Sequence, residues 1–195
     1  MLDHSCQVNR APLEERRGDC YDTPPEAVHA LLRCEKLPHK IWEPACGRGN
    51  IAGVLIGAGH AVYPTDLNDR GYGLPRIDFL LPGPPVDCDA IITNPPFSLA
   101  EEFVEVALDR APLVIMLLRL AFMESDRRSG ILEGRGLARI HVFRKRLPMM
   151  HRAGWEGRKA NSGMAFAWFA WLRGWEGPTV IDRISWDRVD DGDNS

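Results

Sequence analysis

The stretch PLVIMLLRL, residues 112–120, restricts the fold of this chain more than any other feature. It is apolar almost throughout, so a strand with one wet face does not fit it. A bilayer-crossing helix needs about 20 apolar residues, far more than this run offers. What remains is a central strand covered on both faces, and such a strand requires helices above and below its sheet. The preceding chain supplies them in alternation. KIWEPAC reads as a strand, IAGVLIGAG as an apolar helix, and HAVYPTDL, RIDFL and CDAIIT as further strand-like elements. In LAEEFVEVALDR, Phe103, Val106, Ala107 and Arg110 keep helical spacing. This alternation predicts βαβ units: an α/β fold with a mostly parallel, doubly wound sheet. ARIHVF, MAFAWFAWL and TVIDRISW predict strands that close the sheet.

Two helix starts carry sequence signals. Thr23 precedes Pro24 and lies three positions before Glu26, and Ser98 lies three before Glu101, so both read as capping boxes. A single domain is expected over residues 21–187, with basic loop insertions at about 121–136 and 144–163. Residues 1–20 are polar and lack periodicity, which predicts a flexible N-terminal segment. The acidic residues 188–195 read as a disordered tail.

The chain's 195 residues are 45% hydrophobic and 26% charged, enough apolar material for a core and too ordinary a charge for wholesale disorder. The N-terminus has no apolar signal region and no span is long enough for a membrane. Cys6, Cys20, Cys34, Cys46 and Cys88 are scattered without a Cys-x-x-Cys pair. They read as reduced thiols of a cytoplasmic protein, with no metal-ligand pattern. His141 and His151 belong to no metal or triad pattern either, and Trp168 and Trp171 read as core. Charge is uneven: between 119 and 159, eleven basic residues face four acids, giving +7, so the net −3 leaves −10 elsewhere. Such a segment fits a polyanionic partner or a solvated basic face.

EPACGRGN, residues 43–50, stands between a strand and a helix, where open α/β sheets bind ligands. Gly47 and Gly49 let the backbone turn sharply and approach a ligand. Asp66 ends the next strand, 17 positions after Gly49, near the distance at which a carboxylate holds ribose hydroxyls. Asp78 can bond an adenine amino group while Phe79 packs on the ring. The third glycine of the dinucleotide fingerprint is missing, because Ile51 and Ala52 stand there, and no Gly-Lys-Ser/Thr triplet occurs. A nucleoside-bearing ligand without pyrophosphate is the expectation.

The series Thr23-Pro24, Glu43-Pro44-Ala45-Cys46-Gly47-x-Gly49, Asp66, Asp78-Phe79 and Asn94-Pro95-Pro96-Phe97 resembles the class I S-adenosylmethionine-dependent methyltransferases. It resembles their amino-methylating branch in particular, and the motif order is that of the adenine-N6 type. The pattern YDTPPEAV…LLRLAFMES…AWFAW is similar to small phage and prophage DNA methyltransferases. The resemblance covers roughly residues 21–186. It implies a Rossmann-like fold with a mostly parallel seven-stranded sheet and helices on both faces, and S-adenosylmethionine as cofactor. Glu43, Gly47 and Gly49 would border the methionine part, Asp66 would hold the ribose, and Asp78 and Phe79 the adenine. Tyr21, Thr23 and Pro24 would close over the methionine end, and Pro44, Ala45, Cys46, Asn50 and Leu67 would complete the cofactor site. One departure is Ala45, where many relatives carry Phe.

The chemistry implied centres on Asn94, Pro95, Pro96 and Phe97. The adenine amino nitrogen is a poor nucleophile because its lone pair is delocalised into the ring. The Asn94 side-chain oxygen and the Pro95 carbonyl would accept its two N–H groups and draw it toward tetrahedral geometry, while Asn94 also borders the cofactor. The prolines fix φ and remove competing donors, and Phe97 offers a stacking face worth about 1–3 kcal/mol. Arg119, Arg127, Arg128, Arg144, Lys145, Arg146, Arg152, Arg158 and Lys159 would grip phosphates. The partner so implied is nucleic acid, DNA ahead of RNA, without membrane or metal, and a homodimer is compatible with it. Methylation of RNA adenine or of protein glutamine, and an inactive cofactor- or DNA-binding module, are the alternatives.

Overall fold

In a computed structural model of the chain, residues 22–83, 86–148 and 163–187 are described. Helix α1 (Pro25–Cys34) precedes β1 (Lys40–Glu43), and α2 (Asn50–Gly57) leads to β2 (Ala61–Pro64). Strand β3 (Ala90–Thr93) is followed by α3 (Ala100–Arg110) and β4 (Leu113–Arg119). After the short α4 (Ser129–Leu132) come β5 (Leu137–Phe143), β6 (Phe166–Leu172) and β7 (Val180–Ile184). These strands form one seven-stranded sheet in the order β2-β1-β3-β4-β6-β5-β7. Only β6 runs against its neighbours; every other pairing is parallel. This is the Rossmann-like architecture expected from the alternation of elements.

The apolar run at 112–120 is the centre of the sheet. Val114, Met116 and Leu118 of β4 face one core with Phe103, Val104 and Ala107 of α3. Leu113, Ile115 and Leu117 face the other, with Val28 and Leu31 of α1 and Ile51 and Leu55 of α2. Period-two alternation therefore feeds two apolar layers at once. Strand β6 does the same. Trp168 and Trp171 are fully buried on opposite faces, and their indole N–H groups donate to the carbonyls of Ala27 and Ile131 at 3.0 and 2.8 Å. Both are core residues, as the sequence indicates.

Three sequence expectations need correction. RIDFL forms no strand: only an isolated bridge joins Thr65 to Leu74, and Arg76 sits at φ +65°, incompatible with extended backbone. Without RIDFL, the expected closing strand TVIDRISW, as β7, completes the seven, parallel to β5 at the sheet edge. Neither capping box forms. Helix α1 begins at Pro25 after Pro24, and the Thr23 hydroxyl accepts the Asn94 side-chain amide instead. Helix α3 begins at Ala100 after a 3-10 turn at Phe97–Leu99, while Glu101 pairs with Arg127 and Arg128. No helix among the described residues is long and apolar enough to cross a membrane.

Candidate active site

A cavity of about 300 Å³ opens where β1, β2 and β3 end, walled by the segments that leave each strand. Of the residues expected to hold the cofactor, Thr23, Glu43, Pro44, Ala45, Cys46, Gly47, Asn50, Asp66, Leu67, Asp78, Phe79 and Asn94 line it. Positions from Thr23 to Asn94 thus meet in one place. Pro24 and Gly49 do not line it, and Tyr21 lies outside the described residues. Gly49, at φ +84°, serves the fold: a Cβ there would come within 2.5 Å of the Tyr72 ring.

Buried hydrogen bonds fix this cavity. Asp66 accepts the Gly47 N–H at 2.9 Å on Oδ2 and the Asn68 N–H at 2.8 Å on Oδ1, so one carboxylate ties the β1 loop to the β2 loop. A carboxylate has about four acceptor positions, which leaves capacity for a ligand. Glu43, 1% exposed, accepts the Ala52 N–H at 2.8 Å and so holds the first turn of α2. Burial raises the Glu43 carboxyl well above the usual range and so disfavours its charged form. Burial likewise pushes the Cys46 thiol up to about 12, which removes it as a nucleophile. Thr23 is a double anchor. Its hydroxyl accepts Asn94 Nδ2 at 3.1 Å and its carbonyl accepts Asn50 Nδ2 at 3.2 Å. With its nitrogen committed to Thr23, the Asn94 amide has a set orientation.

Several wall residues escaped the sequence reading: Asp22, Arg48, Asn68, Arg70, Ile77 and Leu80, with Ser98, Leu99 and Phe103 on the β3 side. Asp22 and Ser98 adjoin motif residues, a signal that could have found them. Arg70 and Phe103 carry none. Phe79 also differs from expectation. It is 2% exposed, wedged between Trp42 and Phe103 with the Arg110 guanidinium 4.8 Å from its ring centre. Arg110 also donates to the carbonyls of Phe79 and Leu81 at 2.7 and 2.9 Å, fixing the loop that carries Asp78.

The segment from Asn94 to Leu99 divides this cavity from a second one of about 180 Å³, lined by Phe97, Ala100, Leu118, Arg119, Ala121, Phe122 and Arg128. Pro95 is buried and Pro96 faces the first cavity. Phe97 meets Phe166 with ring centres 5.6 Å apart and carries the Arg119 guanidinium 4.1 Å above its ring. The expected bare stacking face is therefore a ring topped by a guanidinium plane. The basic residues divide by partner. Arg127 and Arg128 share Glu101, and Lys145 pairs with Asp187. Arg144 and Arg146 are exposed beside a third cavity that Phe143 and Phe166 also line. Arg152, Arg158 and Lys159 lie outside the described residues. His141, away from these cavities, is buried against Glu35 at 2.8 Å, a structural placement.

No family model and no curated protein matches the chain. Solved structures do match. A protein from Listeria monocytogenes assigned as a class I S-adenosylmethionine-dependent methyltransferase is 12% identical, with TM-score 0.60 over 85% of this chain and 67% of its own. A protein from Pyrococcus horikoshii assigned as an RNA methyltransferase is 14% identical, with TM-score 0.59 over 78% and 87%. The methyltransferase subunit of a type I restriction-modification system from Streptococcus thermophilus is 12% identical, with TM-score 0.59 over 88% of this chain and 50% of its own. The chain spans half the length of that subunit. The shared property is the class I methyltransferase fold.

Proposed function

We propose that the protein is an S-adenosylmethionine-dependent N-methyltransferase acting on the N6 amino group of adenine in DNA, as in the small phage and prophage enzymes its sequence resembles. The observation that carries this reading is the placement of Asn94. It stands between a cavity suited to a nucleoside and an aromatic, cationic cavity, with its amide oriented by Thr23.

The residues of the first cavity fit the cofactor. About 300 Å³ lies at the lower bound of small-ligand pockets. Asp66, beside the turn at Gly47, would take the ribose hydroxyls, and Asp78 the adenine amino group. Glu43, committed to Ala52 and with its charged form disfavoured by burial, supports α2 at the methionine end. When bound, the sulfonium supplies an already activated methyl group. The remaining work belongs to this chain. Asn94 Oδ1 and the Pro95 carbonyl would accept the two N–H groups of the acceptor amine, exposing its lone pair toward the methyl. The fixed backbone of the two prolines limits how far those acceptors can drift, and alignment of this kind supplies much of the rate. A base approaching from the Phe97 side meets the guanidinium plane of Arg119, itself a stacking surface. After transfer the surplus proton leaves to water. An adenine within a duplex must leave its stack to reach Asn94, at a few kcal/mol.

Likeness to the Pyrococcus protein, assigned as an RNA methyltransferase, favours RNA as the acceptor in the second reading. Methyl-labelled cofactor, mixed-sequence DNA and an Asn94→Ala variant test the first. We expect label in DNA with the parent chain and, with Asn94→Ala, about 100- to 1000-fold less transfer at unchanged cofactor affinity. Equal transfer by the variant removes the role assigned to Asn94, and label in RNA alone replaces the substrate.

A further inference from the structure

The sheet order sets the functional residues in a row. The first cavity lies at the ends of β1, β2 and β3. Beyond Asn94 the same edge continues over β4, β6 and β5, whose register brings Arg119 opposite Phe166 and ends β5 at Phe143. Two cavities sit there, of about 180 and 240 Å³, on either side of the Phe97–Phe166 ring pair.

The nearer cavity has two guanidinium-on-ring pairs in its walls: Arg119 over Phe97 at 4.1 Å and Arg128 over Phe122 at 4.4 Å. Arg119 has no ion-pair partner among the described residues, and its buried Nε makes no hydrogen bond. Its ring contact, not a carboxylate, holds it in place. Arg128 gives its charge to Glu101 and a further N–H to the Phe122 carbonyl at 3.0 Å, so what it offers is mainly a plane. The farther cavity is different. Arg144 and Arg146 are exposed on its rim, with no carboxylate partner among the described residues. The edge thus presents flat π and guanidinium surfaces first and unneutralised charge next. From β4 to β5 is two strand spacings, about 10 Å, or about three stacked nucleotides.

We propose that this edge binds an unpaired stretch of nucleic acid strand: its bases stack on Arg119 and Arg128, and its phosphates lie on Arg144 and Arg146. The inference rests on the methyltransferase reading for its purpose and on the cavities for its chemistry. Paired bases already have both faces stacked and cannot use such planes, whereas unpaired bases can. Stacking on rings and guanidinium planes is tolerant of sequence, so this edge selects strandedness before sequence.

The test is fluorescence anisotropy with the full chain and a labelled mixed-sequence oligonucleotide of about 12 nucleotides, within the usual site sizes for single strands. We expect the single strand to bind at least about tenfold more tightly than its duplex at equal salt, with DNA and RNA strands as separate arms. Arg119→Gln should weaken single-strand binding about tenfold, and Arg119→Lys nearly as much, because the plane matters beyond the charge. Arg144→Gln and Arg146→Gln should each lower the salt slope by about 1. Unchanged thermal melting shows that a variant is folded. Equal or tighter duplex binding overturns the proposal, as does full affinity in Arg119→Lys. The outcomes separate the two readings. Preferential single-strand binding without methyl transfer supports this edge and removes the enzyme reading, whereas transfer with duplex preference does the reverse.

Discussion

The two halves of one sheet edge are built by different means. Around β1, β2 and β3, side chains are committed to backbone partners: Asp66 to Gly47 and Asn68, Glu43 to Ala52, Asn50 to Thr23. Around β4, β6 and β5, cations lie on rings or stand exposed: Arg119 on Phe97, Arg128 on Phe122, Arg144 and Arg146 on the rim. The first arrangement has one shape and suits a small ligand of fixed outline. The second offers planes and charges at intervals, which suits a repeating polymer. Asn94 is the boundary, anchored by Thr23 on the first side and followed by Phe97 on the second.

Breaking the hydrogen-bonded half should have the larger effect. Asp66→Ala frees the buried Gly47 N–H and the part-buried Asn68 N–H and removes the proposed ribose acceptor. We expect cofactor affinity, measured by calorimetry, to fall about 10- to 100-fold, each unmade buried hydrogen bond costing about 1–3 kcal/mol. Single-strand affinity should stay within about twofold, because the two halves share no hydrogen bond through Asp66. A parallel loss on both sides would mean that the edge acts as one unit.

A pH titration sharpens the comparison by loading the fold away from both halves. His141 faces Glu35, with Arg139 and Asp182 beside it and Cys34 at the end of α1. Burial opposes its charged form, but hydrogen bonds to Cys34 and Glu35 outweigh burial and raise the imidazole to about 9. The folded value lies above the ordinary 6.5, so its stabilisation is complete below about pH 6.5 and is lost as pH rises through about 9. Stability against denaturant should fall by on the order of 3 kcal/mol across that window. Glu35→Gln should flatten the dependence.

Glu43 carries the smallest expected effect. Because burial disfavours its charged form and the side chain accepts from Ala52, Glu43→Gln keeps the acceptor and should change stability by less than about 1 kcal/mol. Glu43→Ala should cost about 1–3 kcal/mol by thermal melting. A large loss in Glu43→Gln would show that the carboxylate charge matters after all.

The same contrast explains what the sequence makes legible. Asp66 and the glycine loop are readable because a strand end, a tight turn and a fixed interval are local facts. Apolar periodicity likewise reveals β4 and β6. Thr23 is readable as a polar residue before a helix, but its partner Asn94 is 71 positions away, and only the fold selects that bond over capping. RIDFL has strand-like alternation, yet Arg76 breaks the extended backbone, and Arg110, 31 positions from Phe79, holds the loop by its carbonyls. Arg119 reads as one basic residue among many. That it lies over Phe97 follows from a fold in which the β4–β6 register sets Arg119 opposite Phe166, and no local pattern encodes that.

The identity of the product decides whether the proposed methyl transfer to the amino group of adenine takes place at Asn94. DNA incubated with the protein and methyl-labelled S-adenosylmethionine is digested to nucleosides and separated by mass. Label is expected in N6-methyldeoxyadenosine; label in another nucleoside, or none in DNA while the cofactor binds, rules out methyl transfer to adenine at Asn94.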